Sequence, residues 1–426
     1  MAHAPDRTTT PAPGAPTRLA RRLGAFDAVV LGLGSMIGAG VFAAFAPAAR
    51  AAGNGLLLGL AVAAFVAYCN ATSSAQLAVV YPESGGTYIY GRRQLGPFWG
   101  FLAGWGFVIG KLASCAAMAM TFASYAAPGW ARPLASAAVV GLTAVNYRGI
   151  HKTAIVTRII VATVLTCLAV VVGGIWAGGA TDPSRLWPLS QVTPWSIFQS
   201  AAFLFFAFAG YARLATLGEE VIEPSRTIPR AIPLALGIAL AVYTVVAVSV
   251  LAGAEAPTLA STSAPLVAAV EAGSLAKLSP VVRVGAAVAS LGVLLSLIAG
   301  VSRTLFAMAS NHDLPHVLAA VHPRFHVPHR AELVVGGVVA IVAASADIRS
   351  AIGFSSFAVL TYYGVTNAAA WTLPAEQRRW PRALAALGLL GCALLALALP
   401  PQSLFAGAGV LSLGSLAYFS RGGRPR

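Results

Sequence analysis

Twelve apolar stretches follow one another along this chain, at about residues 26–46, 55–77, 98–125, 133–147, 153–178, 195–216, 231–253, 282–309, 332–346, 350–372, 383–399 and 402–420. Most approach the roughly 20 residues that an α-helix needs to cross a bilayer. Of the 426 residues, 58% are hydrophobic and 10% charged, where a soluble domain carries about 25% charged residues. Too few charges remain to give a body of this size a water-facing surface. A soluble enzyme, a DNA-binding protein and a secreted scaffold are excluded. The chain reads as an all-α polytopic membrane protein surrounded by lipid bilayer.

The net charge of +15 would otherwise suggest nucleic acid, but the placement of the charges argues topology. With the N-terminus inside, 21 of the 28 Lys and Arg residues fall on the inner side and six on the outer. That asymmetry is the positive-inside pattern, and no nucleic-acid partner is expected. Both termini are then cytoplasmic, with residues 1–24 and 421–426 as tails, the first of them disordered. Arg outnumbers Lys 25 to 3, a bias of GC-rich genomes that points to a bacterial cell membrane. Cys69, Cys115, Cys167 and Cys392 lie in apolar stretches at unrelated spacings. No metal, structural disulfide or cofactor is expected from them.

Irregular backbone at membrane depth is tolerated only where it lines a cavity or is buried in protein. Two stretches look breakable. The first runs from Gly32 to Phe42 and holds Gly32, Gly34, Gly38 and Gly40 with Ser35; each glycine weakens a helix by about 1 kcal/mol. Close helix packing through Gly34 and Gly38 is the competing explanation. The second, Phe203 to Tyr211, crowds aromatics around Gly210. If residues 25–372 form two five-helix halves, about 25–180 and 190–372, these are the first helices of each half. Residues 373–420 then add two further helices. Interrupted helices at matching positions are the sequence pattern of a transporter site at the midplane.

Three segments carry a resemblance. They are Gly34-Ser35-Met36-Ile37-Gly38-Ala39-Gly40-Val41-Phe42; Tyr81 to Tyr88, continuing through Leu95-Gly96-Pro97-Phe98 to Gly104-Trp105; and Phe206 to Tyr211, running on to Glu219-Glu220, Pro224 and Ile228 to Ile232. A weaker match runs from Ser302-Arg303 to Asp313-Leu314-Pro315. In this order they resemble the amino acid–polyamine–organocation (APC) superfamily of permeases. The resemblance covers about residues 25 to 330 and implies a five-plus-five inverted repeat with helices one and six broken. It also implies that backbone around Ser35, Met36, Ile37, Gly38, Ala39 and Gly40 receives a substrate carboxylate. Carbonyls at Phe206, Ala207, Phe208 and Ala209, beside Gly210, would accept its ammonium. Phe206, Phe208 and Tyr211 would form walls or, for Tyr211, a gate.

Other features fit this reading less specifically. Residues 81–99 suit a segment along the cytoplasmic face, with Arg92 and Arg93 on lipid phosphate. Residues 255–279 resemble an outer lid. The tenth stretch carries Ser355, Ser356, Tyr362, Tyr363 and Asn367, as a cavity face or interhelical bonds would require. A membrane enzyme would need ionisable groups at depth, yet all histidines and carboxylates map to loops, tails or helix ends. A channel would need no paired breaks. Five histidines between His312 and His329 read as a solvated loop in preference to a metal site.

The expected activity is secondary transport of a neutral or acidic amino acid or a related small amine, coupled to protons. Substrate/product exchange of an amino acid or polyamine without proton coupling is the alternative. A dibasic substrate would need a carboxylate at depth, and none is evident. Lys111 is the one charge near mid-membrane, about 20 Å into the third stretch at 1.5 Å per residue. Its neighbours Gly104, Val108, Ser114, Cys115 and Met118 form a mostly small face. Intramembrane lysines usually face a cavity or a partner, so Lys111 is the candidate coupling residue, taking up and releasing a proton. A purely structural bond to carbonyls of an unwound helix competes with that role.

Overall fold

The computed structural model describes residues 23–38, 40–83, 85–149, 154–187, 192–215 and 221–420. Among them the chain is helical without strands, and every apolar stretch falls on helix. The α-helices are α1 (Ala25–Met36), α2 (Gly40–Ala43), α3 (Phe45–Ala52), α4 (Leu56–Val80), α5 (Thr87–Gln94), α6 (Pro97–Ala126), α7 (Ala131–Tyr147), α8 (Ala154–Ala177) and α9 (Pro194–Phe208). There follow α10 (Ala212–Ala215), α11 (Pro224–Gly253), α12 (Ala256–Ser261), α13 (Pro265–Glu271), α14 (Ser279–Ser310), α15 (His329–Ser345), α16 (Ile348–Trp371), α17 (Arg382–Ala398) and α18 (Pro401–Ser420).

Among the described residues, seven helical segments are long and apolar enough to cross a membrane: Ala25–Ala43, Phe45–Val80, Pro97–Ala126, Ala154–Ala177, Pro224–Gly253, Ala276–Ser310 and Pro401–Ser420. The other five apolar stretches form α7, α9, α15, α16 and α17, which are shorter or more polar. The most enclosed segment is α6, whose apolar window is 83% buried against 17% for α18. The difference makes α6 an axis of the bundle, held between α14 and α16, and puts α18 at the edge facing lipid. Chemistry placed on α6 is therefore shielded from lipid.

Helix starts follow local chemistry. Thr193 accepts from the Ser196 N–H while Ser196 answers on the Thr193 N–H, a capping box ahead of Pro194 at the first turn of α9. Asp347 caps α16 by accepting from the Ser350 N–H at 3.0 Å and from its hydroxyl at 2.6 Å. Burial raises this carboxyl, but the bonds from Ser350 outweigh it and hold the group below its ordinary value of 3.8. A carboxyl depressed in the folded state stabilises above its unfolded value, and the effect disappears as pH falls through the folded value. Asp347→Ala is expected to cost about 1 kcal/mol. Thermal melts in detergent should show an equal deficit at neutral and mildly acidic pH, shrinking only below about pH 3.8.

Residues 255–279, expected as an outer lid, fold into α12, α13 and a short turn of helix. α12 packs on α3, where the Arg50 guanidinium donates to the Ala260 carbonyl at 2.9 and 3.1 Å. The Arg92 guanidinium, expected on lipid phosphate, instead meets Asp313 at 2.8 Å. Tyr88 also donates to that carboxylate, at 2.6 Å. The pairing ties α5 to the segment after α14. Arg93 reaches Glu83 at 3.4 Å.

A cavity between two helix breaks

α1 stops at Met36, and the Ile37 N–H closes its last turn on Leu33 O at 2.7 Å. The chain regains helix at Gly40. In the sixth apolar stretch, α9 stays helical through Phe208 and loosens into a 3₁₀ turn at Ala209–Tyr211 before α10. The second interruption thus begins one residue before Gly210, later than the Phe206–Ala209 stretch expected to be unwound. Phe206, Ala207 and Phe208 are the final residues of a regular helix, whose last carbonyls lack intrahelical partners in any case.

The interruptions meet backbone to backbone. A Cβ on Gly210 would run into the Ser35 carbonyl, and one on Gly40 would lie 2.7 Å from Ala207 Cα. No residue larger than glycine fits either place. The Tyr243 hydroxyl on α11 bridges the pair, lying 2.5 Å from Met36 O and 3.0 Å from Ala207 O.

Beside this junction lies a cavity of about 540 Å³. Its lining includes Ser35, Met36, Gly40, Phe206, Ala207, Ala209 and Gly210, with Gly104, Phe107, Lys111, Ser114 and Met118 from α6. It extends past Arg213 and the second half of α14, including Arg303 and Ala307, toward Gly85 and Tyr88. On the other side of the junction the packing is closed. Phe42 and Tyr125 are fully buried edge to face at 5.7 Å, and the Tyr125 hydroxyl donates to Phe42 O at 3.0 Å. The cavity therefore extends to one end of the bundle.

Not every residue expected at the site lines this space. Ile37 and Gly38 are buried beside it, Gly38 against Val293, and Ala39 lies outside the described residues. Phe208 packs edge-on to Tyr243 at 5.1 Å. Tyr211, expected as a gate, is fully buried and stacked on Tyr363 at 5.0 Å. Glu219 and Glu220 also lie outside the described residues. Of the neighbours expected on the Lys111 face, Gly104, Ser114 and Met118 share its cavity, while Val108 and Cys115 are buried in helix packing.

Lys111 is 6% exposed. Its Nζ lies 3.4 Å from Ala209 O, at the long end of hydrogen-bond range, and 6.0 Å from the centre of the Phe107 ring. The Tyr363 hydroxyl approaches the same carbonyl at 3.4 Å. The lysine in the middle of α6 and the interrupted sixth stretch are thus one constellation, although 98 residues separate them. Among the described lining residues Lys111, Arg213 and Arg303 are charged, and none is a carboxylate. Glu332 on α15 is an electrostatic neighbour of Arg303 but does not line the cavity.

Sequence reasoning missed Tyr243, Asn146 and Val293. Tyr243 had a usable signal, since a lone phenol in the stretch 231–253 among Ala and Val needs a partner for its hydroxyl when buried. Asn146 donates to Leu295 O at 3.1 Å, a pairing that local sequence does not announce. Among the described residues no cluster of three His, Cys, Asp or Glu side chains could hold a metal. The His322 ring instead accepts the Arg324 and Phe325 N–H groups through Nδ1 and packs on Tyr147.

Comparison with known proteins agrees with this geometry. The amino acid permease family profile matches residues 23–419. An uncharacterised transporter of Mycobacterium tuberculosis is 62% identical over 95% of this chain and 92% of its own length. The branched-chain amino acid permease of Bacillus subtilis is 25% identical over 87% of this chain and 84% of its own length. Human cationic amino acid transporter 4 is 27% identical over 82% of this chain and 59% of its own length. With a polytopic helical body, two interrupted helices joined at a one-sided cavity, and a family match along nearly its whole length, the chain belongs to the amino acid permease family of membrane transporters.

Proposed function

We propose that the protein is a secondary active transporter for a neutral or acidic amino acid, or a related small amine, coupled to protons through Lys111. In this reading the helices make twelve crossings, built as a five-plus-five inverted repeat (25–180 and 190–372) with two helices appended. Both termini face the cytoplasm of a bacterial cell, and the cavity faces inward. The observation that carries the reading is the junction of Ser35 with Gly210 and Gly40 with Ala207 at the wall of the cavity. Cargo bound there sits where two half-helices can part, as alternating access requires.

Charge favours neutral or acidic cargo over dibasic cargo. A distal ammonium or guanidinium would enter a space lined by Lys111, Arg213 and Arg303 without a carboxylate among the described lining residues. An unpaired desolvated cation is costly. The names of the relatives divide between branched-chain and cationic substrates, so the charge of the cavity is the discriminating feature. Counterflow in proteoliposomes tests the proposal. Labelled neutral amino acid should enter saturably and faster when unlabelled compound is trapped inside. Arginine or putrescine as the best-transported compound would overturn the charge argument. Flux without saturation or counterflow would overturn the carrier reading in favour of a channel.

A further inference from the structure

A zwitterionic amino acid offers a carboxylate and an ammonium. The carbonyls at the two interruptions are the obvious acceptors for the ammonium, but the protein's own donors already stand at three of them. The single hydroxyl proton of Tyr243 is shared between Met36 O and Ala207 O. Lys111 and Tyr363 both approach Ala209 O, and a carbonyl oxygen has two lone pairs. Lys111 is 6% exposed and still lines the cavity. Its ammonium stands beside the broken helix, where an amino group of the cargo would otherwise have to bind. The remaining charged lining groups, Arg213 and Arg303, are also cationic.

From this arrangement we infer that Lys111 supplies the ammonium of the site from the protein itself. The cargo is then recognised as a small organic carboxylate whose α-amino group is dispensable. The inference rests on the proposed placement of cargo at the junction and narrows its substrate class. The chemistry is one of charge balance. A carboxylate entering the cavity meets a lining whose charged side chains, Lys111, Arg213 and Arg303, are all cationic. A second ammonium near Ala209 would meet a carbonyl that already faces two donors at 3.4 Å and a like charge nearby, which disfavours it. A 2-oxo acid, which has the carboxylate and a flat carbonyl in place of the amine, meets the first condition and avoids the second. An amine without a carboxylate does the reverse.

The test uses matched sets in proteoliposomes of the full chain: leucine, 4-methyl-2-oxopentanoate and 3-methylbutylamine, and likewise alanine, pyruvate and ethylamine. Each compound is presented with label and as an unlabelled competitor. The oxo acid is expected to enter saturably and to compete within about fivefold of its amino acid, with the amine at least about tenfold weaker. Lys111→Met should release the Ala209 carbonyl and shift preference toward the amino acid over the oxo acid. About tenfold or more is expected, the size of one hydrogen bond to a charged group. If the amino acid enters and the oxo acid neither enters nor competes, the inference is overturned while the transporter reading stands. Competition by the amine without the oxo acid overturns it equally. If no compound of either set moves, the placement of cargo at this junction falls, and the inference falls with it. The wild-type comparison decides the matter even if Lys111→Met does not fold.

Discussion

Gly210→Ala is expected to be the most damaging single-methyl change in this protein. The added Cβ would overlap the Ser35 carbonyl and lie 2.8 Å from the Met36 nitrogen. Both obstacles are backbone, so no side chain can rotate away. Overpacking costs typically 1–3 kcal/mol, and a rigid obstacle belongs at or above the upper end, about 3 kcal/mol. The helix break would have to separate from α1 to admit the methyl group, opening the cavity wall at the same time. Gly237→Ala on α11 is the matched control, because nothing lies within 4 Å of its added carbon. There the helix interior should gain about 1 kcal/mol instead. Melting curves in detergent, followed by size-exclusion profiles, distinguish the two. A Gly210→Ala protein as stable as wild type would show that the two interruptions are not packed as described.

The second large effect concerns Lys111. Holding a lysine at the centre of a membrane helix costs about 2.5–3.5 kcal/mol on insertion scales, and no carboxylate lines the cavity beside it among the described residues. In the proposed coupling, the protonated ammonium holds Ala209 O and fastens the sixth stretch to α6. Without it the amine is a weaker tie, and the two elements are freer to part. Lys111→Ala should therefore retain substrate exchange while losing accumulation driven by an imposed pH gradient. Against a wild-type accumulation ratio of about tenfold, equivalent to 1.4 kcal/mol, the variant is expected to settle near equal concentrations on the two sides. Accumulation by a folded, substrate-binding Lys111→Ala variant under the same gradient would refute the coupling role. It would leave Lys111 as a structural bond to the broken helix.

Much of this arrangement could be read from the residues, for reasons that differ along the chain. The first interruption was legible because Gly34, Gly38 and Gly40 fall within seven residues with a serine between them, and each lowers helix stability. The second was legible as a region and displaced in detail. The aromatics before Gly210 keep α9 regular through Phe208, so only the residues from Ala209 onward loosen. Lining by consecutive residues was the less secure expectation. Successive positions on a helix point about 100° apart, so a run such as Phe206 to Tyr211 cannot all face one space. Phe206 faces the cavity while Phe208 and Tyr211 pack elsewhere. Long-range partners were the least legible of all. Arg92 carried a plausible local role at the lipid surface, and Asp313, 221 residues later, took it. The small face around Lys111 did point inward as its composition implied, but nothing in α6 alone could say that Ala209 waits opposite.

Tyr243 has one hydroxyl proton and two carbonyls within reach, Met36 O and Ala207 O. In the packed state they divide it. If the half-helices draw apart, as the proposed transport requires, the proton need not be surrendered to water. It can stay with whichever carbonyl remains near, so the motion forfeits one neutral hydrogen bond, a net of about 1 kcal/mol, instead of stranding a buried phenol. In the proposed transport cycle the tyrosine would thus work as a tether with slack, loose enough to permit the stroke and short enough to return both segments to register at its end.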